Sequence, residues 1–104
     1  MTKIRISTDA ARELDEAIQW YEHESPGLGG RLLDAFEHAI ALLSGKMPPL
    51  LPLDGTAEAL GAKRIILRRF PFSVIVIHRF DEFIVVALAH HSRKPGYWLE
   101  RVRT

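Results

Sequence analysis

The residues best suited to chemistry lie in the second half of the chain and are arginines, histidines and a tyrosine. Guanidinium groups hold phosphate oxygens through paired hydrogen bonds, and three arginines could do so, namely Arg64, Arg68 and Arg93. Either His90 or His91 could act as an acid or base near neutral pH. Tyr97 could stack on a base or pass a proton. Cleavage of RNA without a metal needs a base, cations for the phosphorane and an acid for the leaving oxygen, and these residue types are suited to all three roles.

Each of these residues also has a purely structural interpretation. Charged strand residues often protect a sheet edge, so the arginines could be solvated or paired with acidic helices. His90 and His91 are neighbours on a predicted strand and would point to opposite faces, so they could not bind one metal ion together. Since no third ligand is spaced to help them, we expect neither a metal site nor a cofactor. His78, on an apolar strand, is expected to be structural.

Charge is distributed unevenly along the chain, whose formal net charge is +1. Residues 1–52 contain 5 Lys or Arg and 8 Asp or Glu, whereas residues 53–104 contain 9 and 5. From Gly61 onward there are 9 basic and 3 acidic residues. A basic half on a nearly neutral protein indicates a surface for an anionic partner. The alternative is that acidic helices and basic strands pair with each other.

Length and composition are those of one globular domain. With 104 residues, 47% of them hydrophobic and 26% charged, we expect a single domain spanning residues 1–104. The absence of cysteine excludes a disulfide scaffold and a thiol nucleophile, and it fits a reducing cytosol. The apolar runs are far shorter than the roughly 20 residues of a membrane helix. The charged residues at the N-terminus are not followed by an apolar run, so we do not expect a signal peptide there. We therefore expect a cytoplasmic protein without a membrane partner.

The first half of the chain predicts a strand followed by a helical hairpin. Residues 3–7 alternate apolar and polar side chains, as a strand does. A first helix is predicted to begin near Ser7 and to end before Pro26, because the residue before proline avoids the helical region. A second helix is predicted over residues 28–44. The short turn between the two predicts antiparallel packing.

The second half changes to the pattern of a sheet. Three runs rich in β-branched and aromatic residues predict an antiparallel meander, and they span residues 64–70, 72–80 and 83–91. The prolines and glycine of residues 47–60 predict a surface loop. One turn of helix is predicted near Trp98. The fold class is therefore predicted as α+β, in the order β-α-α-β-β-β, with the helical hairpin packed on an antiparallel sheet and a short C-terminal helical turn.

Two tight turns, at Pro71 and at Asp81-Glu82, would sort the strand residues onto two faces. The apolar face is predicted to pack on the helices and consists of Ile65, Leu67, Ile75, Ile77, Ile84, Val86 and Leu88. The other face combines cations with small residues and consists of Arg64, Ile66, Arg68, Val74, Val76, His78, Val85, Ala87, Ala89 and His91. Because small side chains leave room between the cations, this second face is predicted to be an anion site or a docking surface.

Four segments, taken in their order along the chain, carry a resemblance to a known family. They are Ala10-Ala11-Arg12-Glu13-Leu14-Asp15-Glu16-Ala17 with Trp20-Tyr21-Glu22, Pro26-Gly27-Leu28-Gly29, Arg68-Arg69-Phe70-Pro71-Phe72-Ser73-Val74 and His90-His91-Ser92-Arg93-Lys94-Pro95-Gly96-Tyr97-Trp98. They resemble the first helix, the inter-helix turn, the central hairpin and the C-terminal segment of the RelE/ParE superfamily of bacterial toxins. The resemblance spans nearly the whole chain. It implies a toxin of a type II toxin–antitoxin module, held inactive by an antitoxin from the same operon.

The superfamily contains two activities, and the resemblance bears on both. Its ribosome-dependent mRNA endoribonucleases use strand cations and a C-terminal His or Tyr, and the nearest matches form the candidate catalytic set Arg64, Arg68, His91, Arg93 and Tyr97. Other members poison DNA gyrase. The closer resemblance to ParE-like sequences and the sparse strand lysines favour gyrase poisoning here. The alternatives are a metal-independent endoribonuclease and an inactive member that only binds its antitoxin.

The expected partners are a cognate antitoxin, in tight 1:1 pairing within a hetero-oligomer, and a target that is either DNA gyrase or the ribosome with its mRNA. The antitoxin segment is expected to be acidic or amphipathic and partly disordered when free. Aromatics and arginines anchor interfaces, so the candidate partner-binding set is Arg64, Arg68, Tyr97, Trp98 and Arg101. Trp98 and Leu99 are expected to pack onto the domain and to leave Arg101 and Arg103 exposed.

Overall fold

A helical hairpin lies against one face of a five-stranded sheet in the computed structural model, which describes residues 3–53 and 55–102. The elements follow in the order β1 (Lys3–Ile6), α1 (Thr8–Glu24), α2 (Leu28–Leu42), β2 (Leu51–Pro52), α3 (Thr56–Ala59), β3 (Ala62–Ile66), β4 (Phe72–Arg79), β5 (Glu82–His90) and a 3₁₀ turn (Leu99–Val102). This order confirms the predicted α+β class and its C-terminal helical turn. None of the described helices has the length and apolarity that a bilayer span requires.

Local signals in the sequence account for the two ends of α1. The Ser7 hydroxyl accepts a hydrogen bond from the Ala10 amide at 3.1 Å and caps the start of the helix. The helix ends at Glu24, before Pro26, as predicted. The apolar side chains of α1 face the sheet, since Ala10 is fully buried and Leu14 packs against the core.

A side chain of α1 caps the start of α2. The Glu22 carboxylate accepts hydrogen bonds from the Gly27 amide at 2.9 Å and from the Gly29 amide at 3.0 Å. These amides belong to the N-terminal end of α2, where backbone donors lack intrahelical acceptors and a negative charge is favourable. The turn between the helices is therefore fixed by a contact that joins both of them.

The sheet is mixed rather than antiparallel throughout. Its strand order is β1-β5-β4-β3-β2, and β1 runs parallel to β5 while the other neighbours are antiparallel. Residues 47–60, predicted as a loop, contain β2, which pairs with β3, and α3. A strand of 2 residues and a helix of 4 are too short to give a periodic sequence pattern.

The predicted sheet faces are correct for β3 but wrong for β4 and the first half of β5. Ile65 and Leu67 lie under the helices, as predicted. On β4 and β5 the residues that pack under the helices are Val74, Val76 and Val85, which were predicted for the opposite face. The residues predicted for the helix side lie on the other face, namely Ile75, Ile77, Ile84 and Val86.

The length of the β3–β4 connection explains this error. The Leu67 amide donates to the Phe72 carbonyl at 2.9 Å, so residues 68–71 form a longer turn than the tight one expected at Pro71. Ile65 consequently pairs with Val74, and a change of one residue in register exchanges the faces of a strand. An irregularity in the β4–β5 pairing at Ile75/Val76 then restores Leu88 to the predicted helix side.

The C-terminal segment covers much of the sheet face that points away from the helices. Trp98 is 3% exposed and packs in a second apolar cluster with Ile77, Ala87 and Val102. Its packing onto the domain confirms the expectation for Trp98. The sheet face that was predicted to be open is therefore partly covered by the C-terminal segment, and a groove beside Trp98 is left.

Candidate functional site

A groove of about 630 Å³ lies between the far face of the sheet and the C-terminal segment. Its lining includes the apolar residues Ile75, Ala89 and Trp98. Its polar lining is mostly basic and comprises Arg64, Ser73, His90, His91, Arg93 and Lys94, with Thr56 and Tyr97. None of the lining residues in the described part of the chain is acidic. We call this the C-terminal groove, and its composition suits a ligand that is both anionic and partly apolar.

Four of the five candidate catalytic residues meet in this groove, because Arg64, His91, Arg93 and Tyr97 all line it. Arg68 does not. β3 ends at Ile66, and Arg68 belongs to the turn that follows, so the alternation of a strand no longer orients its side chain. It lines a second, more apolar cavity of about 520 Å³ between α2 and β3. The structure thus separates Arg68 from the other candidates.

The two adjacent histidines have different hydrogen-bond partners, although both line the groove and β5 ends at His90. His91 is exposed, and its Nε2 lies 2.9 Å from the Oγ of Ser73, a buried residue of the groove. His90 places its ring edge-on to Phe72 with centroids 5.0 Å apart, and its Nδ1 accepts from the Ser92 amide at 3.0 Å. His90 therefore stabilises the end of β5, while His91 presents an imidazole to the groove.

Arg64 holds an unused hydrogen-bond donor in the groove. It pairs with Leu51 of β2 and with Ile75 of β4 in the sheet. Its Nε is buried and has no acceptor among the described residues. A buried polar group without a partner is costly. Because Arg64 lines the groove, an anionic ligand bound there would lie beside its positive charge.

Tyr97 positions Arg93 and is itself fixed by Glu13. The guanidinium carbon of Arg93 lies 3.9 Å from the centre of the Tyr97 ring, a cation–π contact. The Tyr97 hydroxyl donates to Oε2 of Glu13 at 2.6 Å. Burial and this hydrogen bond to a carboxylate raise the pKa of Tyr97 well above its ordinary value. Its hydroxyl is therefore held as a neutral donor to Glu13.

Glu13 also binds Arg101, which corrects an expectation. Arg101 was expected to be exposed, but its side chain is 19% exposed and its Nη1 and Nη2 donate to the two Glu13 oxygens at 2.9 and 3.1 Å. Arg103, expected to be exposed as well, lies outside the described residues. Burial alone would raise the pKa of Glu13, but hydrogen bonds from Arg101, Tyr97 and the Leu88 amide outweigh it and lower that pKa below its ordinary value.

This cluster completes the outer edge of β5. The pairing of β1 with β5 ends at Val85, and beyond it the Leu88 amide donates to Glu13 while the Val86 carbonyl accepts from Arg101. The two side chains satisfy backbone groups that β1 is too short to reach. Among the described residues, no cluster of three or more histidine or carboxylate side chains is placed to hold a metal ion.

Comparison with known proteins gives one kind of match. No family model and no curated protein matches the chain. Among solved structures, a chain from the chromosomal ParDE toxin–antitoxin system of P. aeruginosa is similar, with a TM-score of 0.72 and 16% sequence identity. The match covers 86% of this chain and 96% of that one. The chain shares the fold of that ParDE chain. The resemblance noted in the sequence is thus confirmed for the fold.

Two features of the site, at Glu13 and at Ser73, have no clear signal in the sequence. Glu13 lies beside the apolar stripe of α1, and nothing in its spacing pairs it with a residue near the C-terminus. Ser73 lies in an apolar strand, and only its register opposite Ala89 brings it beside His91. Lys94 is different, since it follows Arg93 directly and its place in a basic segment could have been recognised.

Proposed function

We propose that this chain is the toxin of a type II toxin–antitoxin module, which arrests bacterial growth when it is free of its antitoxin. The observation that carries the proposal is the likeness to a ParDE chain over 96% of that chain's length. The C-terminal groove supports it, because a cationic cleft with an unused donor at Arg64 is suited to being masked by a partner.

The antitoxin is proposed to contribute an acidic or amphipathic segment that lies in this groove. Carboxylates would pair with Arg64, Arg93 and Lys94, and apolar side chains would lie on Ile66, which is 45% exposed, and on Ala89. A segment of this kind gains its order on binding, which is typical of regulatory partners. The two chains would then form a stable hetero-oligomer in which the cations of the groove are covered.

DNA gyrase is the proposed target. Two members of the candidate set for RNA cleavage do not serve it in the groove, because the Tyr97 hydroxyl is bound to Glu13 as a proton donor and Arg68, a candidate for holding phosphate, lies elsewhere. A toxin that acts by binding a protein needs no such set. In this form of the proposal the chain is not an enzyme, and the candidate residues in the groove serve as the interface with the antitoxin.

The clustering of Arg64, His91 and Arg93 favours a second candidate, a metal-independent endoribonuclease acting on mRNA at the ribosome. His91 would take the proton from the 2′-hydroxyl, and the two arginines would stabilise the charge on the phosphorane. An acid for the leaving oxygen would have to come from a group other than Tyr97, such as Lys94 or a ribosomal component.

Induced expression in a bacterium, with pulse-labelling of new DNA and new protein, tests both candidates. The gyrase proposal expects DNA synthesis to stop first, with loss of negative supercoiling by purified gyrase and intact messages. Protein synthesis stopping first, with truncated messages, would favour the endoribonuclease. Unimpaired growth at high expression, with a folded protein, would refute the toxin proposal and leave an inactive antitoxin-binding member.

A further inference from the structure

The turn between β4 and β5 carries an aromatic side chain that has no packing role. Arg79 and Glu82 pair across the two strands, so Phe80 and Asp81 form the whole connection. Phe80 is 100% exposed. The other four phenylalanines of the chain, Phe36, Phe70, Phe72 and Phe83, are buried or partly buried. Phe80 at the tip of this hairpin is therefore the one phenylalanine of the described residues whose ring is fully exposed to solvent.

The backbone at Phe80 is also unfavourable for this residue. Its φ of 56° lies in the left-handed region, which bulky side chains rarely adopt. Two-residue hairpin turns with a positive φ at the first position usually have glycine there. Phe80 thus gains no stability from burial of its ring, and its backbone conformation is unfavourable. Such strained positions cluster where a residue has a function.

The hairpin tip is held firmly by its neighbours. The Lys3 amide donates to the Asp81 carbonyl at 3.1 Å, and the Arg5 side chain pairs with Glu82 at 2.7 Å. Below the tip, the rings of His78 and Phe83 stack with centroids 4.3 Å apart. Because the backbone of the tip is already ordered, Phe80 loses little backbone conformational freedom on binding. Residues that anchor interfaces commonly have this property.

The tip lies away from the C-terminal groove and differs from it in charge. Arg79 lies six positions after Ser73 along β4, a distance of about 20 Å at roughly 3.3 Å per position. Near the tip the cations Arg79, Lys3 and Arg5 are accompanied by Asp81 and Glu82, so the surface is close to neutral. A neutral tip with one ring suits an apolar pocket on a protein better than a phosphate backbone.

We propose that Phe80 is an anchor that inserts into an apolar pocket of a folded protein, the target through which the toxin acts. The C-terminal groove then serves the antitoxin, and the two partners bind different ends of the sheet. This inference rests on the proposed function, since it assumes that the chain has a target.

The variant Phe80→Asn tests the anchor, because asparagine tolerates the left-handed backbone and lacks the ring. We expect it to melt at or above the wild-type temperature, to bind the antitoxin as the wild type does, and to lose activity about tenfold or more in growth arrest and gyrase inhibition. Met47→Asn is the matched control, since Met47 is 92% exposed on another loop. It should behave as the wild type in every assay.

Three results for Phe80→Asn would overturn the inference. They are full growth arrest, loss of antitoxin binding, and weaker binding of a single-stranded RNA oligonucleotide, the last because it would make the ring a base-stacking surface. A variant that melts well below the wild type would also contradict the claim that Phe80 is retained against stability. Failure of the wild type itself to arrest growth would instead refute the proposed function and this inference with it.

Discussion

Glu13 on α1 and Arg101 in the C-terminal turn are 88 positions apart in sequence and are joined by two hydrogen bonds of 2.9 and 3.1 Å. The same carboxylate accepts a hydrogen bond from the Tyr97 hydroxyl. The Tyr97 ring makes a cation–π contact with Arg93, and both residues line the C-terminal groove. The pair therefore links the first helix to the segment that forms one wall of the groove. The stability of that wall depends on one ion pair.

Replacing Glu13 by glutamine is expected to destabilise the protein by about 1–3 kcal/mol. The substitution leaves the partly buried Arg101 with the more distant carboxylate of Asp9, 3.8 Å from its Nε, and weakens the acceptor of Tyr97. Thermal or urea unfolding measures the loss. Glu16→Gln on the same helix is the control, because Glu16 is 67% exposed and lies 3.7 Å from Arg12, and it should change stability by less than about 0.5 kcal/mol.

A double variant, Glu13→Gln with Arg101→Met, separates the ion pair from the other contacts. If the pair carries the effect, the double variant should lose less stability than the two single variants added together. Strict additivity would show that the two side chains act independently and would contradict the coupling.

Stability is expected to fall at acid pH through Glu13. Its folded pKa is lowered from the ordinary 4.5, so the unfolded chain takes up the proton first as pH falls. The stabilising contribution is therefore complete above pH 4.5 and is lost as the pH drops through the folded value. Urea unfolding from neutral to acid pH should show a smaller decline for Glu13→Gln than for the wild type. An equal decline would assign acid sensitivity to other carboxylates.

Arg64 is expected to contribute to binding and not to stability. Since its Nε has no acceptor among the described residues, Arg64→Met should leave the unfolding free energy unchanged or raise it. Affinity for the antitoxin should fall by about tenfold or more, as expected for loss of a charge-assisted bond. Arg31→Met, at an exposed position of α2, is the control for charge alone. Calorimetric titration with the antitoxin checks both, and unchanged binding by Arg64→Met would place the antitoxin elsewhere.

The order of the longer elements was predictable from the sequence, but the faces of β4 and of the first half of β5 were not. The apolar stripes of α1 and α2 repeat over several turns, and the cap at Ser7 and the break at Pro26 limit α1. The face on which a strand residue lies depends on the register between strands. The four-residue turn 68–71 sets the register of β3 and β4. It contains a positive φ at Arg69, which nothing in the sequence indicates. A local pattern thus predicts which residues form a strand, while a single turn decides which way they point.

The candidate site was predictable where its residues follow one another along the chain. His91, Arg93 and Tyr97 belong to one segment, and all three reach the groove. Arg64 also lines the groove, since it lies on the face of β3 that the alternation of the strand predicts. Arg68 and Arg101 were misplaced for different reasons: the first lies past the end of its strand, and the second is captured by a carboxylate from the opposite end of the chain.

Gly29 and Gly30 at the start of α2 give a matched pair with opposite expected effects. A Cβ on Gly29 would lie 2.6 Å from the Ile18 carbonyl oxygen of α1, so Gly29→Ala must push the helices apart and should destabilise by about 2 kcal/mol or more. A Cβ on Gly30 meets nothing within 4 Å. Gly30→Ala should therefore stabilise by about 0.5–1 kcal/mol through better helix propensity. Thermal unfolding of the two variants checks the signs. If both were stabilising, the close contact of the two helices, on which the Glu22 cap also depends, would be incorrect.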